Sequence, residues 1–450
     1  MLKKILKAFL IVLAFLLLLT VVLLKPVDRK PYSELPIADE MNARLDSLAK
    51  NYQSGRKDTL RIGFARVSIT PSDTVPLAGY AARDPMTFER IRDSVFVRAI
   101  VLDNGHNRVA LLSTELLINH PGVVSLFNNK LAATDWQPEQ IFLGATHTHS
   151  GPGGWAEGIA GNIIIGDYSE KQAAFIARQM EKALTLASQN LQEARTAYIA
   201  NEMGLHVKNR LIQEGEQDIW MRNLLFELKE GYMSFSAYAA HATCFSMHSR
   251  ELTGDFPSYF YKQLQGDSLI PGVMYMAGAV GSMGPQAEGL RGRQKAQLIG
   301  SALAGQVSLM ARLGARFQDV LDLQSFRVKV PLRSPQLKIA QNWAVREWVF
   351  DALFGSYQVE ISVLKVGNTI LLGMPCDFSG EVANPLYTYA KDRDLNLIIT
   401  SFNGDYIGYV TKDKWYDLRE YETRSMNWYG PDSGAYFSFI AKRIIDTVAE

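Results

Sequence analysis

Two imidazoles alternate in Thr146-His147-Thr148-His149-Ser150, directly after the apolar run Gln140–Ala145 and directly before the turn Gly151-Pro152-Gly153-Gly154. Side chains along an extended strand alternate between its faces, so the spacing predicts that His147 and His149 share one face and reach one cavity. The glycines that follow keep backbone close to whatever is bound there. Paired imidazoles at a strand end are metal-ligand chemistry, and a catalytic zinc asks for three His, Asp or Glu ligands plus an open position.

Around this phrase the chain must supply strands to carry ligands and helices to cover them. From Leu60 onward short β-rich runs alternate with longer helical ones. The strands predicted are Val97–Asp103, Val109–Ser113, Gln140–Ala145, Leu224–Leu228, Ser234–Ala240, Val273–Met276, Ile361–Val366, Ile370–Leu372 and Leu397–Ser401. Ser169-Glu170-Lys171-Gln172 has the form of a capping box opening a helix whose apolar face is Ala173, Ile176, Ala177, Met180 and Ala183. A second helix is predicted over Arg293–Arg312, and a third over Gln336–Phe354, as a core helix or as a lid against lipid. The expected fold class is α/β, a mixed β-sheet core covered by helices.

Ala145 to Gly154 resembles the signature of the neutral/alkaline non-lysosomal ceramidase family, zinc-dependent amidases that cut the N-acyl bond of sphingolipids. Further short motifs follow in the family's order: Gly63–Pro71, Leu77-Ala78-Gly79-Tyr80, Arg98-Ala99, Asn209-Arg210, His241-Ala242-Thr243, Gly373-Met374-Pro375, the stretch Asn403 to Tyr409, and Tyr421-Glu422. The resemblance covers the catalytic domain, from about Gly63 to Pro431. It implies one zinc ion held by His147, His241, Asp377 and Tyr409, with His149, Arg210, Tyr421 and Ser282 as catalytic groups.

His241 ends the apolar strand Ser234–Ala240, where the family has its second histidine, and Asp377 stands where the family has a glutamate. Aspartate is one methylene shorter, yet remains a competent zinc ligand if the backbone lies closer; Glu381, four residues on, is the alternative acid. Tyr409 is placed as a phenolic ligand, a role a cation makes possible by lowering the phenol's pKa. His149 is placed as a proton carrier, and Arg210 and Tyr421 as donors to the substrate carbonyl or its oxyanion. The family's Gly-Asp-Val-Ser-Pro-Asn loop is altered here to Gly278-Ala279-Val280-Gly281-Ser282-Met283, which leaves Ser282 as nucleophile or auxiliary donor. With that loop altered, the expected reaction is zinc-dependent hydrolysis of the amide of a ceramide-like lipid by a metal-activated water. The alternatives are another amide or ester, such as an envelope glycan or an N-acyl amino compound, or a non-catalytic binding protein on the same scaffold.

Composition closes other options. Among 450 residues, 47 Lys and Arg balance 46 Asp and Glu, so no net field concentrates nucleic acid. Ala8–Leu24 is lipophilic, broken by Thr20 and preceded by Lys3, Lys4 and Lys7; as a helix it spans ~25 Å, most of a bilayer core. A cleaved signal peptide is the rival, but the run is long for one, and Leu23-Leu24-Lys25-Pro26 lacks a small-residue cleavage site. The expected organisation is an anchor or signal over 1–25, a tether over 26–57 and a hydrolase domain over 58–450, with the domain outside the cytoplasm, periplasmic or extracellular. The two cysteines, Cys244 and Cys376, are too few for a disulfide scaffold and read as small buried hydrophobes.

Overall fold

The computed structural model of the chain describes residues 1–83, 86–356 and 358–449. The strand Phe96–Asp103 alternates Val97, Ala99 and Val101 toward one apolar cluster and Ile100 and Leu102 toward another. A strand apolar on both faces must be covered on both, and that requirement sets the layering. Among the described residues this strand belongs to a nine-stranded mixed sheet. Its path runs Gly272–Ala277, Tyr232–Tyr238, Trp220–Glu227, Gln192–Glu202, Asp58–Ser68, Phe96–Asp103, Arg108–Thr114, Ile141–Ala145, with Val320–Leu321 paired to Asp58–Ser68.

One face of this sheet carries the helices Pro121–Leu131 and Glu170–Gln189. The other packs on a four-stranded sheet ordered Leu323–Lys329, Glu360–Val366, Thr369–Gly373, Asn396–Thr400, with Leu364, Leu371 and Ile398 against Phe142, Phe235 and Met274. The far face of the second sheet is closed by the helices Gly380–Lys391 and Ser433–Ala449. The expected mixed-sheet core covered by helices is therefore present, built from two stacked sheets.

The large sheet curls until its two edge strands meet. A Cβ on Gly144 would lie 2.5 Å from Met276 Sδ, and Ser113 Oγ donates to the Tyr275 carbonyl across the closure at 2.6 Å. Ile141–Ala145 runs parallel to Arg108–Thr114, and Gly272–Ala277 runs parallel to Tyr232–Tyr238. A parallel bridge between Thr148 and Ala242 ties the two pairs just past their C-terminal ends. The loops after three strands thus open at one place.

The helix Glu170–Gln189 begins where expected, with Ser169 Oγ accepting from the Gln172 amide at 3.3 Å, but the reciprocal half of the capping box is replaced by a bond from the Ser169 amide to the Gly154 carbonyl. Two further expectations are corrected. Residues 336–354 do not form one helix: Lys338–Ala340 and Trp343–Val345 make a hairpin, and only Glu347–Phe354 is helical. The hairpin has a third strand, Leu24–Pro26, so its backbone is satisfied by a segment that local periodicity does not reveal. Residues 26–57 are no loose tether, because Tyr32 is buried and stacked on Tyr436, and the helix Pro36–Asn51 buries Met41 and Leu45 in the core of the second sheet.

The N-terminal helix Leu2–Leu23 is long and apolar enough to cross a membrane, and its apolar surface is not buried against the body. Cys244 and Cys376 are both buried and unpaired by disulfide.

The strand Asp58–Ser68 and the helix over it leave no room at Gly63, where a Cβ would sit 2.0 Å from the Ala187 carbonyl oxygen. Gly63→Ala is expected to lower stability by about 1–3 kcal/mol, the usual cost of overpacking, read as a lower urea midpoint at unchanged slope.

Candidate metal centre

The strand Ile141–Ala145 stops before the histidines, and His147 itself takes φ +60°, a left-handed backbone rare for a side chain with a Cβ. This corrects the expectation of simple strand alternation: the kink, not the pleat, turns His147 inward. Its ring stacks on Phe402 at 3.8 Å between centroids, and Nδ1 donates to the Leu117 carbonyl at 2.7 Å. His149 Nδ1 donates to the Gly79 carbonyl at 2.9 Å. Gly79 can be nothing larger, since at φ +116° a Cβ would meet His149 Cα at 2.6 Å. His241 Nδ1 faces the carbonyls of Val280 and Met283 at 2.8 and 3.0 Å.

These three anchors decide the tautomers. With each Nδ1 proton committed to a carbonyl, each Nε2 presents a lone pair, and the ligating atoms lie within 4.8 Å of one another. Burial is the main cause that holds all three imidazoles well below their ordinary pKa, so they are neutral.

The acid arrives just past the strand Thr369–Gly373 of the second sheet, on a separate two-stranded ladder. Asp377–Phe378 pairs in parallel with Tyr409–Val410, with Asp377 directly opposite Tyr409. Asp377 Oδ2 accepts from Tyr406 Oη at 2.6 Å. Oδ1 is buried without a hydrogen-bond partner, although it lies 3.0 Å from His241 Nε2 and 3.8 Å from His147 Nε2. Lone pairs facing each other at that distance inside a protein are costly unless a cation lies between them. The orphaned Oδ1 is the test that the residues fit a metal, and they pass it: His147, His241 and Asp377 converge, with Tyr409 Oη 3.2 Å from His241 Nε2. Burial, then Asp377, keeps the Tyr409 phenol raised well above its ordinary pKa; a metal ion would oppose both causes.

Arg210 crosses the same group. Its Nη2 donates to Tyr409 Oη at 2.9 Å and lies 3.0 Å from His241 Nε2, while Nε sits 3.1 Å from Glu422 Oε1. Burial alone would lower its pKa, but Tyr409, Tyr421, Glu422 and Asp377 outweigh that and hold the guanidinium charged. The Tyr421 ring is half-exposed; its hydroxyl turns inward, 3.3 Å from Tyr409 Oη, and burial is the main cause that pushes it up to about 12.

Ser282, expected as nucleophile or auxiliary donor, is buried with its hydroxyl donating to Glu381 Oε2, while Asn209 Nδ2 donates to Oε1 of the same carboxylate. It does not line the cavity that holds the other groups. Glu381, the alternative acid ligand, is thereby engaged in bracing the loop 278–283 that carries the carbonyls facing His241. Sequence reasoning missed this brace, the Glu422 partner of Arg210 and the Phe402 platform; Asn209 beside Arg210 and Glu422 beside Tyr421 were signals, since both lie in the quoted motifs.

The centre lies at the end of a cavity of about 500 Å³. His147, His149, Asp377, Tyr406, Tyr409 and Tyr421 form its polar part. Its remaining wall is largely apolar, drawn from the loop 79–82, Leu117 and Ile118, the helix Gly158–Ile165, Leu353 and Phe354, and Met426 and Trp428.

Known proteins resemble the chain in part of its sequence and in its fold. The profile "Neutral/alkaline non-lysosomal ceramidase, N-terminal" matches residues 60–213. The neutral ceramidase of Drosophila pseudoobscura pseudoobscura is 25% identical over 225 residues, 45% of this chain and 31% of that protein. The neutral ceramidase of Pseudomonas aeruginosa is 26% identical over 157 residues, 33% and 23% respectively. The aligned stretches thus span about a third or less of the curated relatives. The crystal structure of the Pseudomonas aeruginosa neutral ceramidase superposes with a TM-score of 0.74 at 19% identity, over 87% of this chain and 74% of that one, which shows a shared fold. The profile match and these relatives make residues 60–213 similar to the N-terminal part of the neutral/alkaline non-lysosomal ceramidase family, and the superposition extends the shared fold over most of the chain.

Proposed function

We propose that the chain is a membrane-anchored hydrolase, its body outside the cytoplasm, that cleaves the N-acyl amide of a ceramide-like lipid. The observation that carries this is the pairing of one buried polar group with one apolar wall: converging lone pairs around an orphaned carboxylate oxygen, facing a cavity of about 500 Å³ whose sides suit a hydrocarbon chain. In this reading His147, His241, Asp377 and Tyr409 hold one zinc ion. Zinc bound there supplies Lewis acidity and lowers the pKa of water in its open position.

The protein's own groups divide the remaining work. Arg210 offers a fixed positive charge, and the Tyr421 hydroxyl a second donor, where negative charge develops on the carbonyl oxygen. His149 lines the cavity with its Nδ1 fixed and its Nε2 lone pair turned into the centre, 3.0 Å from His147 Nε2, where it can take up a proton. It can pass that proton to the leaving nitrogen. The apolar walls hold the acyl chain and exclude water from the amide. Ser282 braces the loop through Glu381 and takes no part in bond making. The names of the relatives, neutral ceramidases, support the choice of amide.

Elemental analysis of the purified full chain is expected to find one zinc per molecule, with His147→Ala and His241→Ala losing both metal and amide hydrolysis. His149→Ala is expected to keep its zinc and lose turnover; metal loss in that variant would make His149 a ligand and vacate the proton role. Arg210→Ala should lower kcat on N-acyl sphingosine about 10²-fold or more, the usual cost of an oxyanion donor, with zinc retained. Ser282→Ala should leave kcat within about tenfold while costing about 1–3 kcal/mol of stability, because Glu381 loses a buried donor. A larger kcat loss at retained stability would restore the serine as nucleophile. Chelation should abolish hydrolysis and soluble N-acetyl amides should be poor substrates; the reverse preference would redirect the reading to another amide.

A further inference from the structure

The helix Leu2–Leu23 is joined to the body without slack. Its chain passes straight into Leu24–Pro26, which pairs antiparallel with Trp343–Val345 in the register Leu24 to Val345 and Pro26 to Trp343. Arg346 closes the joint from the other side. Its amide donates to the Leu23 carbonyl at 2.8 Å and its Nε to the Val21 carbonyl at 2.9 Å. Carbonyls at a helix C-terminus have no partner within the helix, so a side chain from the body caps the membrane-length helix and fixes its direction.

Arg346 is also the residue that opens the helix Glu347–Phe354. Leu353 and Phe354 at the end of that helix line the cavity, and it packs on the helix Gly158–Ile165, which forms another wall. One rigid path therefore runs from the apolar helix to the sides of the cavity. Large apolar side chains stand exposed along it: Ile339, Trp343 and Trp348 beside the joint, and Ile159 and Ile163 on the neighbouring wall, each 44–54% accessible. Exposed tryptophans a few residues from the end of a spanning helix are where interfacial aromatic belts form.

We infer that this rim is a bilayer-docking surface, which seats the cavity on the leaflet where the anchor emerges so that a lipid substrate passes into it without crossing water. The occupant is the membrane that holds Leu2–Leu23, because the joint leaves the body no freedom to face elsewhere. The inference rests on the reading of that helix as an anchor and not on the amide chemistry.

Both native cysteines are buried, so a cysteine introduced on the surface can be labelled selectively. The full chain carrying Trp348→Cys with an environment-sensitive fluorophore is reconstituted in phosphatidylcholine vesicles containing lipids spin-labelled near the headgroup. Leu313→Cys serves as the distant control. It ends the helix Gly292–Leu313, which starts beside Cys244 near the centre and reaches ~33 Å away at 1.5 Å per residue. Strong quenching at 348 and little at 313 is the expected result. No quenching at 348, or equal quenching at both, overturns the inference. A second variant inserts a Gly-Ser linker of about ten residues after Leu23, enough to release the body by ~18 Å. Hydrolysis of bilayer-embedded substrate should then fall about tenfold with loss of effective concentration, while a detergent-dispersed short-acyl substrate is turned over unchanged; unchanged bilayer turnover overturns the inference. If neither substrate is hydrolysed by any form, the amidase reading fails, and the quenching still decides the docking.

Discussion

Lone pairs that face one another away from water are the constraint around which the centre is organised. Each of the three imidazoles gives its Nδ1 proton to a backbone carbonyl, of Leu117, Gly79 and Val280 respectively. The nitrogens that remain can only accept, and they share the space with a carboxylate oxygen that has no donor. Hydrophobic packing does not relieve such a cluster; it makes it worse by lowering the local dielectric. A cation does relieve it, which is why these residues read as a ligand set and not as a packed polar core.

Holding four acceptors together requires that strands from both sheets end at one point. The curl of the large sheet supplies two of the ends, and it depends on the absence of a side chain at Gly144, where Met276 fills the space. The short parallel pair Asp377–Phe378 and Tyr409–Val410, a separate two-stranded ladder, brings the carboxylate and the phenol side by side. Strain is concentrated where the two meet: His147 and Phe402, stacked ring on ring, both have positive φ. Backbone in that region costs of order 1–3 kcal/mol per residue and persists only where surrounding structure over-determines it, and here the surroundings are the two sheets themselves.

What the sequence disclosed and what it withheld follow from how local each signal is. The strands that carry the site were legible because apolar runs bounded by turn residues depend on neighbouring residues alone; His147 and His149 stood out by their spacing, whereas His241, Asp377 and Tyr409 were singled out by their place in motifs that resemble the family's. Their mutual distances were not, since they depend on the closure of a sheet over residues far apart in the chain. The hairpin at 338–345 was mistaken for helix because its third strand comes from Leu24–Pro26, and 26–57 was mistaken for a tether because its proline content masks the burial of Tyr32, Met41 and Leu45. Ser282 was assigned by its place in an altered loop; the contact that engages its hydroxyl, Glu381, comes from a helix of the other sheet.

The charges around the centre explain why Arg210 belongs in it. Asp377 and Glu422 face one guanidinium, and burial is the main cause that raises the pKa of both acids. Burial and the neighbouring Asp377 raise the pKa of the Tyr409 phenol as well. A divalent ion held by these residues would favour the ionised forms of Asp377 and Tyr409, and with Arg210 it would balance the two carboxylates and a phenolate. Arg210 donates to Tyr409 and lies beside His241, so any negative charge that grows at the open position is met by a group already fixed there. Lysine could match the charge but not the fork that joins Tyr409 and Glu422 from one planar group. The guanidinium is thus both part of the structural balance of the centre and the group best placed to stabilise an oxyanion beside it.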